Sequence, residues 1–204
     1  MTTATDHPYR MSFTTGGLFL NESVEVAQLH RDGEPWRDTA KRALQQGTTA
    51  LPKSASNSRS LREITNRLRT LTEQERRFLC ERADRTDQQA LLWLAACRAY
   101  RFVGEFAQEV VRDRYLSYQL ELPLSAFDIA LESKAEWDDG IASLSRSTRS
   151  KLRQILFRIM REAGILSQDN RIQASILSIQ LKQMINDNNP GELAYFPSTS
   201  VDGA

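Results

Sequence analysis

The sequence predicts a mostly α-helical protein that carries one small β-hairpin near its C-terminal end. Three observations predict it. Nine Gly and six Pro in 204 residues are too few for a loop-rich all-β chain. Apolar residues recur at helical spacings of three and four. Ser, Thr or Asp stands ahead of several of these stripes, with an acid three positions on. At 40% hydrophobic and 26% charged residues, with a mean hydropathy of −0.49, the chain is that of a globular protein able to build one shared core.

Met1 to Pro8 is expected to be a flexible tail, and residues 9–20 mix aromatics with Gly16-Gly17 ahead of a helix from Asn21 to about Arg31. No Lys-Ser/Thr follows the glycines, so they fit a tight turn into the helix better than a phosphate loop. Pro35 suits the first turn of a helix ending at Gln46, with Gly47 as its stop. Leu51-Pro52 and Ser54 to Ser58 resemble a linker. Leu61, Ile64, Leu68 and Leu71 then form an amphipathic stripe. Thr72 with Glu75 is a capping box, and Thr86-Asp87 is expected to open the longest helix, about Gln88 to Ser117, at the centre of the fold. Ser125 with Asp128 forms a further capping box for an acidic helix to about Asp139.

The stretch that follows is the most informative. A helix from Thr148 to Ala163 ends at Gly164, and Ile165-Leu166-Ser167 and Arg171-Ile172-Gln173 flank the turn Gln168-Asp169-Asn170 as two short strands. A helix from about Ser175 to Asn186 completes the body. Helix, helix and hairpin is the layout of a winged helix-turn-helix, with Thr148 to Ala163 as recognition helix. The expected divisions are a tail at 1–8, a helical subdomain at 9–119, a winged-helix-like subdomain at 120–187 and a C-terminal tail at 188–204, which Tyr195-Phe196 can anchor to the body.

Net charge is +1, but charge is segregated. Lys41 to Arg69 holds seven basic residues against the single acid Glu63, and Gly140 to Arg161 holds six against none. Such segregation serves an acidic partner or an internal interface. Of the 27 basic residues, 22 are Arg, whose planar fork matches phosphate and guanine edges. On the helix from Thr148 the apolar arc is Leu152, Ile155, Leu156, Ile159 and Ala163. The opposite arc holds Ser150, Gln154, Arg158 and Arg161, with Lys151 and Arg153 on its flanks and Phe157 among the exposed positions. Arg146, Ser147, Thr148 and Arg149 surround the helix N-terminus, where free N–H groups attract phosphate. These residues are the candidate contacts to double-stranded DNA, and Arg59, Arg62 and Arg69 form a second basic face. A solvated polar face balancing the acidic helix is the alternative reading.

No catalytic site is expected. His30 lacks a nucleophile placed with it and reads as a surface residue. Glu105 and Glu109 share a helix face without the histidine of a Glu-x-x-His ligand pair, and read as solvated or paired with Arg101 and Arg112. Two cysteines, Cys80 and Cys97, cannot make a structural zinc site with His7 and His30. No cofactor, metal, membrane or small-molecule substrate is therefore expected, and the polar start and sparse cysteines suit a cytoplasmic protein.

Ser12-Phe13-Thr14, Gly16-Gly17-Leu18 and Glu22-Ser23, then Leu94-Ala95, Arg98, Tyr100 and Glu105-Phe106, are motifs of one family. So, above all, are Leu144-Ser145-Arg146-Ser147-Thr148, Lys151-Leu152 and Phe157-Arg158 through Gly164-Ile165-Leu166. From Tyr9 to about Asn186 the chain resembles the BrxA family, the small helical component of BREX bacteriophage-exclusion systems. The resemblance implies a NusB-like helical body that binds double-stranded DNA beside a methyltransferase, an ATPase and other BREX proteins, with no catalysis of its own. A protein-interaction subunit without DNA binding and a NusB-like RNA binder remain alternatives. The RNA binder should offer aromatics for stacking, and Phe157 is the one candidate on the basic helix.

Overall fold

The computed structural model describes residues 9–46 and 55–198. Its elements are α1 (Leu20–Leu29), α2 (Trp36–Gln46), α3 (Ala55–Leu68), α4 (Glu73–Glu81), α5 (Arg85–Ala99), α6 (Arg101–Phe106), a π-helical turn (Ala107–Arg112) and α7 (Asp113–Leu116). Then come α8 (Ser125–Ala135), α9 (Asp139–Ala142), α10 (Arg146–Glu162), α11 (Ile179–Asn188) and a 3-10 helix (Pro190–Tyr195). Local capping sets the starts of five of these helices. Thr72 and Glu75 make the reciprocal capping box at α4. Asp84, Asp138, Ser145 and Ser178 each accept a backbone N–H three residues on, opening α5, α9, α10 and α11. α10 stops in a Schellman arrangement. Gly164 takes a positive φ of 74°, its N–H donates to the Arg161 carbonyl, and the Ile165 N–H reaches back to the Met160 carbonyl at 2.9 Å.

α5 lies at the centre. Every residue from Ala90 to Cys97 is buried, and the Trp93 indole donates to the Tyr195 carbonyl at 2.9 Å. One apolar cluster joins Phe13 before α1, α5, α8, α10, α11 and Phe196 after the 3-10 helix. Phe13, Tyr100, Phe102, Phe106 and Phe127 form its aromatic part, with ring centroids 5.2–6.5 Å apart.

Several expectations need correction. The C-terminal β-hairpin wing is not formed: the described residues contain no strand, only the isolated bridges Leu166 to Ile172 and Glu121 to Arg171. Ser167 and Gln173 donate to the Arg171 and Ile165 carbonyls at 2.9 Å, but the Ile165 N–H that would return a bond is spent on the Met160 carbonyl at the end of α10, and the Arg171 N–H goes to the Ser167 hydroxyl. A ladder therefore cannot grow past one pair, and the fold is all-α. The single long helix from Gln88 is broken at Tyr100, whose extended backbone (φ −132°, ψ 102°) lets its hydroxyl donate to Glu63 at 2.5 Å. Ser125 does not cap α8, and Asp128 instead accepts from Arg153. Phe157 is buried, because α10 packs over an arc of about 200° at 100° per residue rather than over one stripe. Residues 173–178 precede α11 as non-helical chain, and 55–58, expected in a linker, open α3. The 3-10 helix at 190–195 and the buried Phe196 dock the last described segment on the core, the anchoring that Tyr195-Phe196 suggested. The tail at 1–8, the stop at Gly47, the breaker Leu51-Pro52 and the final residues from 199 lie outside the described residues.

Candidate nucleic-acid interfaces

α10 presents the first candidate surface. Its N-cap, Ser145, takes the Thr148 N–H at 3.2 Å and also bonds the hydroxyls of Ser147 and Thr148 at 3.0 and 2.9 Å, so three hydroxyls gather at the helix start. Ser147, Ser150, Lys151, Gln154 and Arg158 form one exposed row, and Arg146 is exposed beside it. The basic side chains are not equally available. Arg149 turns back to cap α9, donating to the carbonyls of Leu144, Ile141 and Ala142 at 3.0, 3.4 and 3.1 Å. Arg153 is paired with Asp128, and Arg161 donates to the Asn170 side chain at 2.8 Å. Arg158 pairs with Glu162 at 2.7 Å but stays 58% exposed. Lys151 bonds Gln154 at 3.3 Å, and neither Lys151 nor Arg146 has an ion pair among the described residues.

The second surface is a cleft of about 650 Å³ between α2 and α3. Arg59, Arg62 and Arg69 line it, joined by three cations that sequence reasoning did not single out as contacts: Arg10, Arg37 and Lys41. Lys41 opens the basic stretch, whereas Arg10 and Arg37 lie outside it, and only the packing of α2 beside α3 turns two helices and the segment before α1 into one cavity. Glu63 is the acid in its lining, and its carboxylate is already taken by Arg67 at 2.7 Å and the Tyr100 hydroxyl. Arg10 is steadied by Ser12 and Asn66 at 3.2 and 3.1 Å.

Residues weighed for chemistry have structural employment. The anion beside Gly17 is the chain's own Glu162, whose carboxylate accepts the Leu18 N–H at 2.5 Å. A Cβ at Gly17 would stand 2.2 Å from that carboxylate. His30 is no surface residue: its side chain is 3% exposed, stacked on Trp36 at 3.8 Å. The Thr39 hydroxyl gives its one proton to Glu34 at 2.7 Å, so His30 Nδ1, 2.7 Å from the same oxygen, must be the donor there. Burial, followed by the nearby Arg76 charge, lowers the His30 pKa below its ordinary value. Glu105 takes Arg101 and Lys134 at 2.7 and 2.8 Å, and Glu109 takes Lys134 rather than Arg112. Among the described residues no group of three or more His, Cys, Asp or Glu is placed to hold a metal ion, and no helix is long and apolar enough to cross a membrane.

Comparison with known proteins adds a family. The BrxA family profile matches residues 7–189. A relative from Paramagnetospirillum magneticum (strain ATCC 700264 / AMB-1), described as BREX protein BrxA, is 27% identical over 188 residues, covering 89% of this chain and 92% of its own. Another BREX protein BrxA, from Bacillus cereus (strain H3081.97), is 22% identical over 180 residues, covering 87% and 90%. A crystal structure of an uncharacterized protein from Magnetospirillum magneticum has the same fold, with a TM-score of 0.75 and 24% identity over 95% of this chain and 100% of that one.

Proposed function

The chain belongs to the BrxA family of BREX phage-defence proteins, and from that premise we propose that it is a non-catalytic component that binds double-stranded DNA through the outer face of α10. The observation that carries the reading is the exposed row from Ser147 to Arg158 in a stretch, 140–161, that contains no acid. At 1.5 Å per residue this row is about 16 Å long, and a helix fits the major groove of B-DNA. Arg146 and Lys151 supply charge for phosphates. The hydroxyls of Ser147, Thr148 and Ser150 bind backbone oxygens beside the positive end of the helix dipole. Gln154 faces base edges, and Arg158 adds a third charge for phosphates. The Arg158 to Glu162 pair is no obstacle, since a solvent-exposed pair is worth only about 0–1 kcal/mol and a phosphate can replace the carboxylate. Other BREX proteins, the methyltransferase and ATPase among them, are the partners this role requires.

Arg149 and Arg153 are poor probes, because removing them also uncaps α9 and strands Asp128. The informative variant is Arg146→Ala with Lys151→Ala, read by fluorescence anisotropy on a duplex of arbitrary sequence. Affinity should fall for every sequence alike, whereas Gln154→Ala should alter sequence preference only. Unchanged duplex affinity in the double variant would remove α10 as the site.

A protein-interaction role is the second reading, favoured by Ile129, Trp137, Ile176 and Ile179, which are 66–87% exposed. The RNA-binding alternative loses its stacking residue on α10, since Phe157 is buried.

A further inference from the structure

The cleft between α2 and α3 differs from the α10 face in shape, and shape decides what it can take. We propose that it binds a segment of single-stranded DNA, at a site separate from the duplex on α10. A cavity of about 650 Å³ lies in the range that encloses a small ligand, roughly 300–1,000 Å³, so a duplex can only rest on its rim. Its cations come from three segments of the chain. Arg37 and Lys41 stand on α2, Arg59 and Arg62 on α3 with Arg69 just beyond it, and Arg10 before α1. A single phosphate would meet only some of them, whereas a strand lying along the cleft meets cations from three segments.

The wall along α3 is long enough for a strand. Arg59 to Arg69 spans about 15 Å at 1.5 Å per residue. A wall of that length runs past more than one phosphate of an extended strand. Arg59, Arg62 and Arg69 are exposed and have no ion pair among the described residues, so their charge is not consumed inside the fold. Arg37 and Lys41 share only Asp38, at 3.9 and 3.8 Å. Grooves that hold single strands combine such cations with apolar or aromatic surface for the bases. The 47% exposed Leu44 provides it on the α2 side, next to Trp36, whose ring is already stacked on His30.

The test is anisotropy with a labelled 12-nucleotide single strand and, in parallel, the same sequence as a duplex, each across a salt series. The probes meet wild type, the triple variant Arg59→Ala, Arg62→Ala, Arg69→Ala, the α2 variant Lys41→Glu, and the α10 pair Arg146→Ala, Lys151→Ala. All substituted side chains are exposed, and the thermal midpoint of each variant is measured alongside. The triple variant should weaken the single strand at least tenfold and flatten its log–log salt slope by about two, at ~0.7 per lost phosphate contact. Lys41→Glu should weaken it in the same direction, and the α10 pair should leave it within twofold. Single-strand affinity unchanged by the triple variant overturns the proposal, as does parallel loss of strand and duplex, which means one shared site. Displacement of the strand by millimolar inorganic phosphate also overturns it, in favour of a small-anion site. Wild type that binds the strand but no duplex leaves this site standing and removes the α10 reading; the converse does the reverse.

Discussion

Arg98 is the residue whose loss should damage the fold most per atom removed. Its guanidinium forks onto two carboxylates at once, Glu75 of α4 at 2.6 and 2.8 Å and Glu192 of the 3-10 helix at 2.9 and 2.7 Å, and also reaches the Thr70 carbonyl at 3.1 Å. Glu75 is fully buried and Arg98 only 12% exposed. Removing one partner of a buried pair costs about 3–5 kcal/mol, because the other charge is left in a poor solvent. Glu75 would keep the Thr72 N–H and the Asn188 amide, which puts Arg98→Met near the lower end, about 3 kcal/mol. The pH dependence gives a second check. Burial pushes the Glu75 carboxyl up, but Arg98 and the Thr72 amide outweigh it and hold the pKa below the ordinary value of 4.5. In wild type that stability is therefore present above 4.5 and is lost as pH falls through the lower folded value. In Arg98→Met burial prevails, the sign reverses, and the variant should recover as pH falls from 7 towards 5. Urea unfolding of both proteins at pH 7 and 5 reads this directly, and adding Glu75→Gln to Arg98→Met should restore part of the loss. A deficit under about 1 kcal/mol, or one equal at both pH values, refutes the assignment of a buried charge at Glu75.

Gly17→Ala should destabilise by about 1–3 kcal/mol, since the new Cβ collides with the Glu162 carboxylate and breaks its bond to Leu18. Adding Glu162→Ala should make the double variant more stable than the two single losses together predict; strict additivity contradicts the contact. His30, neutral in the fold because its pKa is lowered, stabilises fully above its ordinary value of 6.5 and progressively less as pH falls below that. Wild type should therefore lose stability relative to His30→Gln between pH 7 and 5.5, with a change in the fluorescence of the stacked Trp36. A difference that stays flat across that window shows that His30 does not titrate there.

The helical class, the α4 capping box and the buried centre from Ala90 to Cys97 were legible because each is written in neighbouring residues: a cap and its acid, or an apolar run too long for one face. What was not legible depends on partners distant in sequence. Nothing near Tyr100 announces a break; at the break its hydroxyl meets Glu63, 37 positions away. The hairpin failed for a similar reason, since α10 claims the Ile165 N–H that a ladder would need, although the turn residues were read correctly as a turn. At the candidate sites, sequence could list arginines but not say which would be occupied. Arg149 and Arg153 looked equivalent to Arg146, yet one caps α9 and the other meets Asp128. Arg10, Arg37 and Lys41 became neighbours of Arg59 only through the packing of separate segments.

The duplex-binding reading meets its most direct test in the salt dependence of wild-type affinity. Arg146, Lys151 and Arg158 are the α10 cations free to displace counterions, so at ~0.9 per neutralised phosphate the log–log slope for a short duplex should be close to −2.7, and the Arg146→Ala, Lys151→Ala variant should bring it to about −0.9. A wild-type slope near zero, or no duplex binding at 50 mM salt, would contradict it.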